Sequence, residues 1–338
     1  MKLIYLGSFP PPYGGVTIKN KMLYDNLEQY VDIEKIDLGN IKKMNLIEIL
    51  KLFMRLLNPS SAFVIGSASK SRRIFTAILY YVNRKALSRS LLILMGGMSS
   101  NIIANDPKYL KWVSKYKQVY VETEGMKSEL TDVNLKNVSV FPNCRVRPKE
   151  KLDINIKSNQ KIKCLFFSLI SKDKGADIVI ETANLLKKRG INFTIDFFGH
   201  IEEKYKLEFE AALKKSGQIN YCGVFRADKD NVYKKLQEYD LLLFPTRWKA
   251  EGVPGILVES KIAGLPAVVS DLNYNAEIIE DSKTGIVLKE NTSFELANVI
   301  ESLYKDRRWL IQMQHDSKVS SEGYLIENHI KDIVNMFK

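Results

Sequence analysis

The chain has 338 residues, 45% hydrophobic and 27% charged, a composition that supports two domains with separate cores and excludes a chain disordered throughout. Its formal net charge of +12 predicts affinity for something anionic, which nucleic acid, an anionic bilayer or a phosphorylated ligand would equally satisfy. Cys144, Cys164 and Cys222 lie far apart and read as buried free thiols, and with three scattered histidines they leave no zinc-ligand spacing, so no metal site is expected.

Residues 2–7 form an apolar run too brief for a signal peptide, and the run passes directly into Pro10-Pro11-Pro12, so it reads as a first strand. An amphipathic stretch follows over 17–27, then a strand at 31–36, a helix at 46–57 and a strand at 62–66. Further strands are predicted at 90–95, 118–122 and 138–141. Short apolar runs between longer periodic segments are what βαβ crossovers produce, because a buried parallel strand has no wet face to mark with polar residues. Residues 147–161 are polar, with Pro148 near their start, and read as a linker between a first domain over 1–146 and a second over 162–320.

In the second domain strands are predicted at 163–167, 193–199, 219–223, 241–245, 267–270 and 285–288, with helices at 175–189, 202–215, 255–263, 294–303 and 309–315. A last helix at 326–337, within the tail 321–338, is expected to pack back on the first domain. The fold class is thus α/β: two facing Rossmann-like domains with mostly parallel sheets, whose ligands bind beyond the carboxyl ends of the strands, in the interdomain cleft. No apolar run approaches the roughly 20 residues that span a bilayer. The expectation is a cytoplasmic protein, with contact at most on the inner face of the plasma membrane.

Three loops suggest chemistry. In Glu251-Gly252-Val253-Pro254-Gly255-Ile256-Leu257-Val258-Glu259 a glycine loop leads into a helix, and its backbone N–H groups together with the helix dipole suit a phosphate. Glu259 would accept hydrogen bonds from vicinal hydroxyls such as those of a ribose, and Glu251 would reach a sugar. The plain alternative is a helix start with two solvated acids. Gly14-Gly15, between the first strand and first helix, lets main chain approach a ligand, or is simply the end of a proline-rich turn. Lys174, before Gly175 and after a strand, would neutralise a diphosphate, though a Lys-Gly pair is common in any basic chain.

These residues together resemble the retaining glycosyltransferase family 4, which has the glycosyltransferase-B fold: Gly14-Gly15 in the first loop, Lys174-Gly175, and Glu251 followed by Glu259 after seven intervening residues. The resemblance extends over nearly the whole chain in layout and is specific mainly from Ile162 to Leu288. It implies a donor sugar beside Glu251, a donor ribose on Glu259, and sugar and phosphates along the loop of Gly252, Val253, Pro254, Gly255 and Ile256, met by the backbone N–H groups that this loop offers. It also implies a phosphate contact at Gly15, a diphosphate contact at Lys174, and the nucleobase near 221–225, including Gly223 and Val224. Two departures stand out. Leu169 occupies the place of an arginine five residues before the lysine, and Gly96-Gly97-Met98 follows a strand after which many members carry histidine. Arg226 and Arg247 are candidate substitute cations.

The implied reaction moves a hexose or related sugar from a nucleoside diphosphate, UDP ahead of GDP, to a hydroxyl with retention of configuration. Glu251 and Lys174 are the catalytic candidates, and no cofactor is needed. A saccharide acceptor, lipid-linked in bacterial surface-polysaccharide assembly, is expected. The alternative is an inactive or partner-dependent member that only binds a sugar nucleotide or another anionic ligand. Lys70, Arg72, Arg73, Arg84, Lys85 and Arg89, around Phe75, Ile78, Leu79, Tyr80, Tyr81 and Val82, suggest peripheral contact with an anionic membrane, or a core helix with a solvated basic end. No nucleic-acid recognition module is present, so no nucleic acid partner is expected.

Overall fold

A computed structural model describes residues 2–11, 14–152, 154, 161–226 and 230–337, with the side chains of Lys42 and Lys43 outside the description. Of the predicted linker 147–161, residues 153 and 155–160 therefore fall outside the described residues. The chain divides into one unit of Met1–Arg147, Ala250–Pro254 and Leu325–Lys338 and another of Pro148–Lys249 and Gly255–Tyr324.

In the first unit six strands, β1 (Lys2–Gly7), β2 (Ile33–Asp37), β3 (Ser61–Gly66), β4 (Leu91–Ile93), β5 (Gln118–Val121) and β6 (Val138–Val140), pair in parallel in the order β2-β1-β3-β4-β5-β6. Between them run α1 (Gly15–Leu27), α2 (Leu46–Leu57), α3 (Ser69–Val82), α4 (Arg84–Leu87), α5 (Ser99–Ala104), α6 (Pro107–Val113) and α7 (Glu124–Thr131). Every residue of β3 and all but the first of β1 are buried, as helices on both faces of a parallel sheet require. Each fully buried Leu, Ile or Val adds about 1.5–3 kcal/mol of hydrophobic stabilisation.

The second unit repeats the plan. Strands β7 (Ile162–Phe167), β8 (Phe193–Phe198), β9 (Ile219–Tyr221), β10 (Leu241–Phe244), β11 (Ala267–Ser270) and β12 (Gly285–Leu288) run parallel in the order β12-β11-β10-β7-β8-β9. Their helices are α8 (Ala176–Lys188), α9 (Lys206–Lys215), α10 (Val232–Leu236), α11 (Gly255–Ala263), α12 (Asn275–Ile278), α13 (Ser293–Lys305) and α14 (Arg307–Ser320). The chain then returns to the first unit, where α15 (Ile330–Asn335) buries Ile330, Ile333 and Val334 in a core that contains Leu23 and Leu27 of α1.

Both sheets reverse direction once. The chain leaves β1 for β2 and comes back on the other side as β3; it leaves β7 for β8 and β9 and comes back as β10. Such reversals splay the connecting loops apart at the strand carboxyl ends, where open α/β sheets take their ligands.

Several expectations need correction. The helix predicted at 309–315 runs over Arg307–Ser320, because the Asp306 carboxylate accepts from Trp309 N at 3.0 Å and caps an earlier start. The tail helix is interrupted: a 3-10 turn (Ile326–Asn328) precedes α15, with His329 at φ −121° between them. Cys222 is exposed, one residue beyond the edge strand β9, while Cys144 and Cys164 are buried free thiols. In the basic stretch 70–89, Arg72 is fully buried and donates to the hydroxyls of Tyr109, Ser69 and Ser99, each at 3.2 Å; Phe75, Leu79 and Tyr80 are also interior. Those four side chains are not available to a headgroup.

Lys261 of α11 is buried, and its ammonium donates to the hydroxyls of Ser320 (2.7 Å) and Thr284 (3.2 Å). Burial pushes its pKa down to about 8, against the partly offsetting charge of Glu280. Below pH 8 the folded protein carries the full cost of that buried charge; between about 8 and 10.5 the unfolded chain binds more protons than the folded one, so stability rises with pH. Relative to Lys261→Met, the native chain should therefore gain about 3 kcal/mol between pH 8 and 10.5. Urea unfolding of both proteins at the two pH values measures that difference.

Candidate active site

The loops named above follow β1, β7 and β10, three of the four strands at which the two sheets reverse. After β1 the chain reaches Gly14, whose N–H donates to Thr17 Oγ1 at 3.0 Å, and α1 begins at Gly15. A Cβ on Gly15 would meet no described atom within 4 Å, and one on Gly14 would touch only Thr17 Oγ1. The bare backbone here is thus not demanded by packing. The opening turn of α1 has N–H groups without intrahelical partners, a suitable seat for an anion.

One turn further along α1, Lys19 points inward, on the face that carries the buried Met22 and Leu23. Its ammonium donates to Glu122 Oε1 at 2.7 Å, with both side chains almost completely buried. Glu122 follows β5, and its other oxygen accepts from Gly96 N at 3.3 Å. The same oxygen lies 3.2 Å from where a Cβ on Gly252 would stand.

The segment Glu251–Val253 is held against the loop after β4 at very short range. A Cβ on Gly97 would lie 1.9 Å from the Glu251 carbonyl oxygen, and one on Gly252 would lie 2.9 Å from Gly96 Cα. Asn143 Nδ2 donates to Val253 O at 2.8 Å. Gly96-Gly97, where the resemblance led one to look for histidine, is therefore the place where two backbones touch. Glu251 and Gly252 are half-buried, and Val253 and Pro254 are buried.

In the second unit the loop after β7 carries Lys174, half-buried, with its ammonium 5.9 Å from the Trp248 ring centre. Gly175 has φ +80°, and a Cβ there would lie 2.1 Å from Pro245 O, so the loops after β7 and β10 meet through backbone alone. Arg247 fastens them: its N–H donates to Asp173 O at 2.7 Å, its Nε to Lys172 O at 3.1 Å, and its guanidinium also pairs with Asp177. Arg247 thus brings a cation beside Lys174 but spends it on Asp177. Leu169 is substantially exposed. Glu259 is half-buried one turn into α11, backed by buried Leu257 and Val258.

Gly223 accepts at its carbonyl from Gly199 N at 2.9 Å, Val224 faces outward, and Phe225 packs on Phe167 and Phe198. Gly255 and Ile256 open α11 and are half-buried. Among the described residues, His, Cys, Asp and Glu side chains form no group of three that would hold a metal ion. Lys19, Glu122, Asn143 and the loop-fastening role of Arg247 went unrecognised in the sequence. Lys19 alone left a trace there, as a lysine on the apolar stripe of its helix.

Two glycine substitutions should therefore separate. Gly97→Ala forces two backbones apart and should cost about 1–3 kcal/mol, whereas Gly15→Ala should stay within about 0.5 kcal/mol of the native protein. Urea midpoints of the two variants measure the contrast.

A family model described as "Glycosyl transferases group 1" matches residues 148–324, just over half of the chain. The amylovoran biosynthesis glycosyltransferase AmsK of Erwinia amylovora is 26% identical over 161 residues, covering 45% of this chain and 38% of that protein. The N,N'-diacetylbacillosaminyl-diphospho-undecaprenol alpha-1,3-N-acetylgalactosaminyltransferase of Campylobacter jejuni is 25% identical over 189 residues, covering 52% and 47%. The matched part of this chain thus spans less than half the length of these curated relatives. The crystal structure of Anabaena HepE in complex with UDP-glucose aligns over 99% of this chain and 98% of its own, with a TM-score of 0.71 at 14% identity. That likeness is one of fold: two Rossmann-like parallel-sheet domains of the glycosyltransferase-B class. The chain belongs to the glycosyl transferases group 1 family.

Proposed function

We propose that this protein is a retaining glycosyltransferase that moves a sugar from a nucleoside diphosphate to a hydroxyl of a saccharide acceptor in bacterial polysaccharide biosynthesis. The observation that carries the reading is the origin of Gly14-Gly15, Lys174 and the 251–259 segment in loops that follow strands at the sheet reversals. The family match and the named relatives agree with it. UDP is the favoured donor nucleotide, in keeping with the UDP-glucose ligand of the HepE crystal structure. A lipid diphosphate acceptor is favoured by the name of the Campylobacter relative. The first unit takes the acceptor side, and the second takes the nucleoside of the donor.

The chemistry assigned to each residue follows from charge. As the glycosidic bond breaks, the departing diphosphate gains negative charge, which Lys174 and the backbone N–H groups of Gly15, Gly252, Val253, Gly255 and Ile256 stabilise more in the transition state than in the ground state. Glu259 binds the ribose hydroxyls, and the Gly223-Val224 turn borders the base. Glu251 stabilises the donor sugar and is not assigned a covalent intermediate. A hydrolase-type double displacement needs a pair of carboxylates flanking the bond, and Glu259 is committed to the nucleoside. A diphosphate oxygen takes the acceptor proton.

Purified protein incubated with UDP-, GDP-, ADP- and CMP-sugars should release a single nucleotide, UDP. Glu251→Gln and Lys174→Ala should each lower kcat on the order of a hundredfold or more, and Gly15→Ala should weaken donor affinity while leaving the fold intact. Donor binding without turnover in every acceptor mixture would favour an inactive or partner-dependent member. Absence of both binding and turnover would refute the donor assignment.

A further inference from the structure

Helix α2 carries more apolar surface than the fold uses. Leu52 and Leu56 are buried, but Leu46, Ile47, Ile49, Leu50, Phe53, Met54 and Leu57 are all exposed, with Leu46 at 72%, Ile47 at 63% and Met54 at 61%. At about 100° per residue these seven side chains share one arc of about 160°. Glu48 and Arg55 lie opposite the arc and Lys51 beside its edge, and all three line a cavity of about 430 Å³ with Glu34, Lys35 and Asp37. The outward arc therefore closes neither the core nor the cavity. A continuous apolar strip of this kind on a soluble surface marks an interaction site.

Its surroundings are basic. Lys51, Lys70, Arg84 and Lys85 are exposed there, while Arg72 is buried and Arg55 and Arg73 pair with Glu34 and Asp106. Helix α3 packs beside α2, and Asn83 Nδ2 ties the two together by donating to Leu56 O at 2.8 Å and Asn58 O at 3.0 Å. The exposed side of α3 and α4 adds Ile74, Tyr81 and Val82 with Lys70, Arg84 and Lys85. Protein interfaces deplete lysine at their centres, whereas an apolar helix face with cations at its margin suits acyl chains below and anionic headgroups beside them. At twelve residues, α2 is about 18 Å long, too short to cross a bilayer and suited to lying along one.

We propose that the outward face of α2, with the cationic margin supplied by Lys51, α3 and α4, docks on the surface of an anionic bilayer. The lipid-linked acceptor proposed above gives this contact its purpose, but the contact is tested without donor or acceptor. A failed test leaves the transferase reading standing, and a failed turnover screen leaves the docking surface standing.

The experiment is co-sedimentation of the full chain with vesicles of phosphatidylcholine and phosphatidylglycerol in equal parts, and with vesicles of phosphatidylcholine alone. The native chain should sediment with the mixed vesicles and much less with the neutral ones. Leu50→Ser/Phe53→Ser should weaken partitioning about tenfold or more, and Lys51→Gln/Lys70→Gln/Lys85→Gln should do so by a similar factor. The changed residues are exposed, so circular dichroism and melting should match the native chain; should the serine variant unfold, the glutamine variant carries the test. The proposal is overturned by no sedimentation of the native chain, by equal sedimentation with neutral vesicles, or by variants that bind as the native chain does. A concentration-dependent dimer that Leu50→Ser/Phe53→Ser abolishes, without vesicle binding, would also overturn it and assign the face to a second copy of the chain.

Discussion

Two backbone segments far apart in sequence touch without side chains between them, and much of the first unit's proposed chemistry depends on that contact. Gly97 faces the Glu251 carbonyl and Gly252 faces Gly96 at distances that admit no Cβ. The carboxylate of Glu122 lies against the same pair and reaches Gly96 N. A buried carboxylate needs a counter-charge, since removing one partner of such a pair typically costs about 3–5 kcal/mol, and Lys19 supplies it. Because Lys19 sits one turn beyond Gly15, the Glu122 carboxylate ties the start of α1 to Gly96, against which Gly252 packs.

The second unit uses the same economy of atoms. Gly175 against Pro245 O, and Gly199 against Ser168 O, let strand-end loops meet through main chain. Arg247 then fastens the loop of Lys174 to the loop after β10 by charge and hydrogen bonds. Rigid placement of a cation and of backbone amides lowers the reorganisation needed when charge develops on a leaving group. The side chains of Lys174, Glu251 and Glu259 themselves remain half-buried.

Much of this was legible in the sequence because parallel strands advertise themselves. β3, β10 and β11 are uninterrupted buried runs, and the helices between them keep their period. Glu251, Glu259 and Lys174 stood out by position after such runs. The Lys19–Glu122 pair did not, because its members are 103 residues apart and nothing local joins them. Arg72 was misread as a surface cation because three hydroxyls from separate segments, Ser69, Ser99 and Tyr109, provide it with hydrogen-bond partners inside the fold. For α2 the periodicity revealed a helix, but only the packed structure distinguishes Leu52 and Leu56, which meet the core, from the seven apolar residues that do not.

The assignment of the strand-end loops to a nucleoside diphosphate is tested most directly by amide hydrogen exchange with and without saturating UDP. Slowed exchange concentrated at Lys174–Ala176 and Gly252–Glu259, with the edge strand β2 and helix α2 unchanged, is the predicted result. Uniform exchange with and without UDP, or protection confined to segments away from those loops, would contradict it.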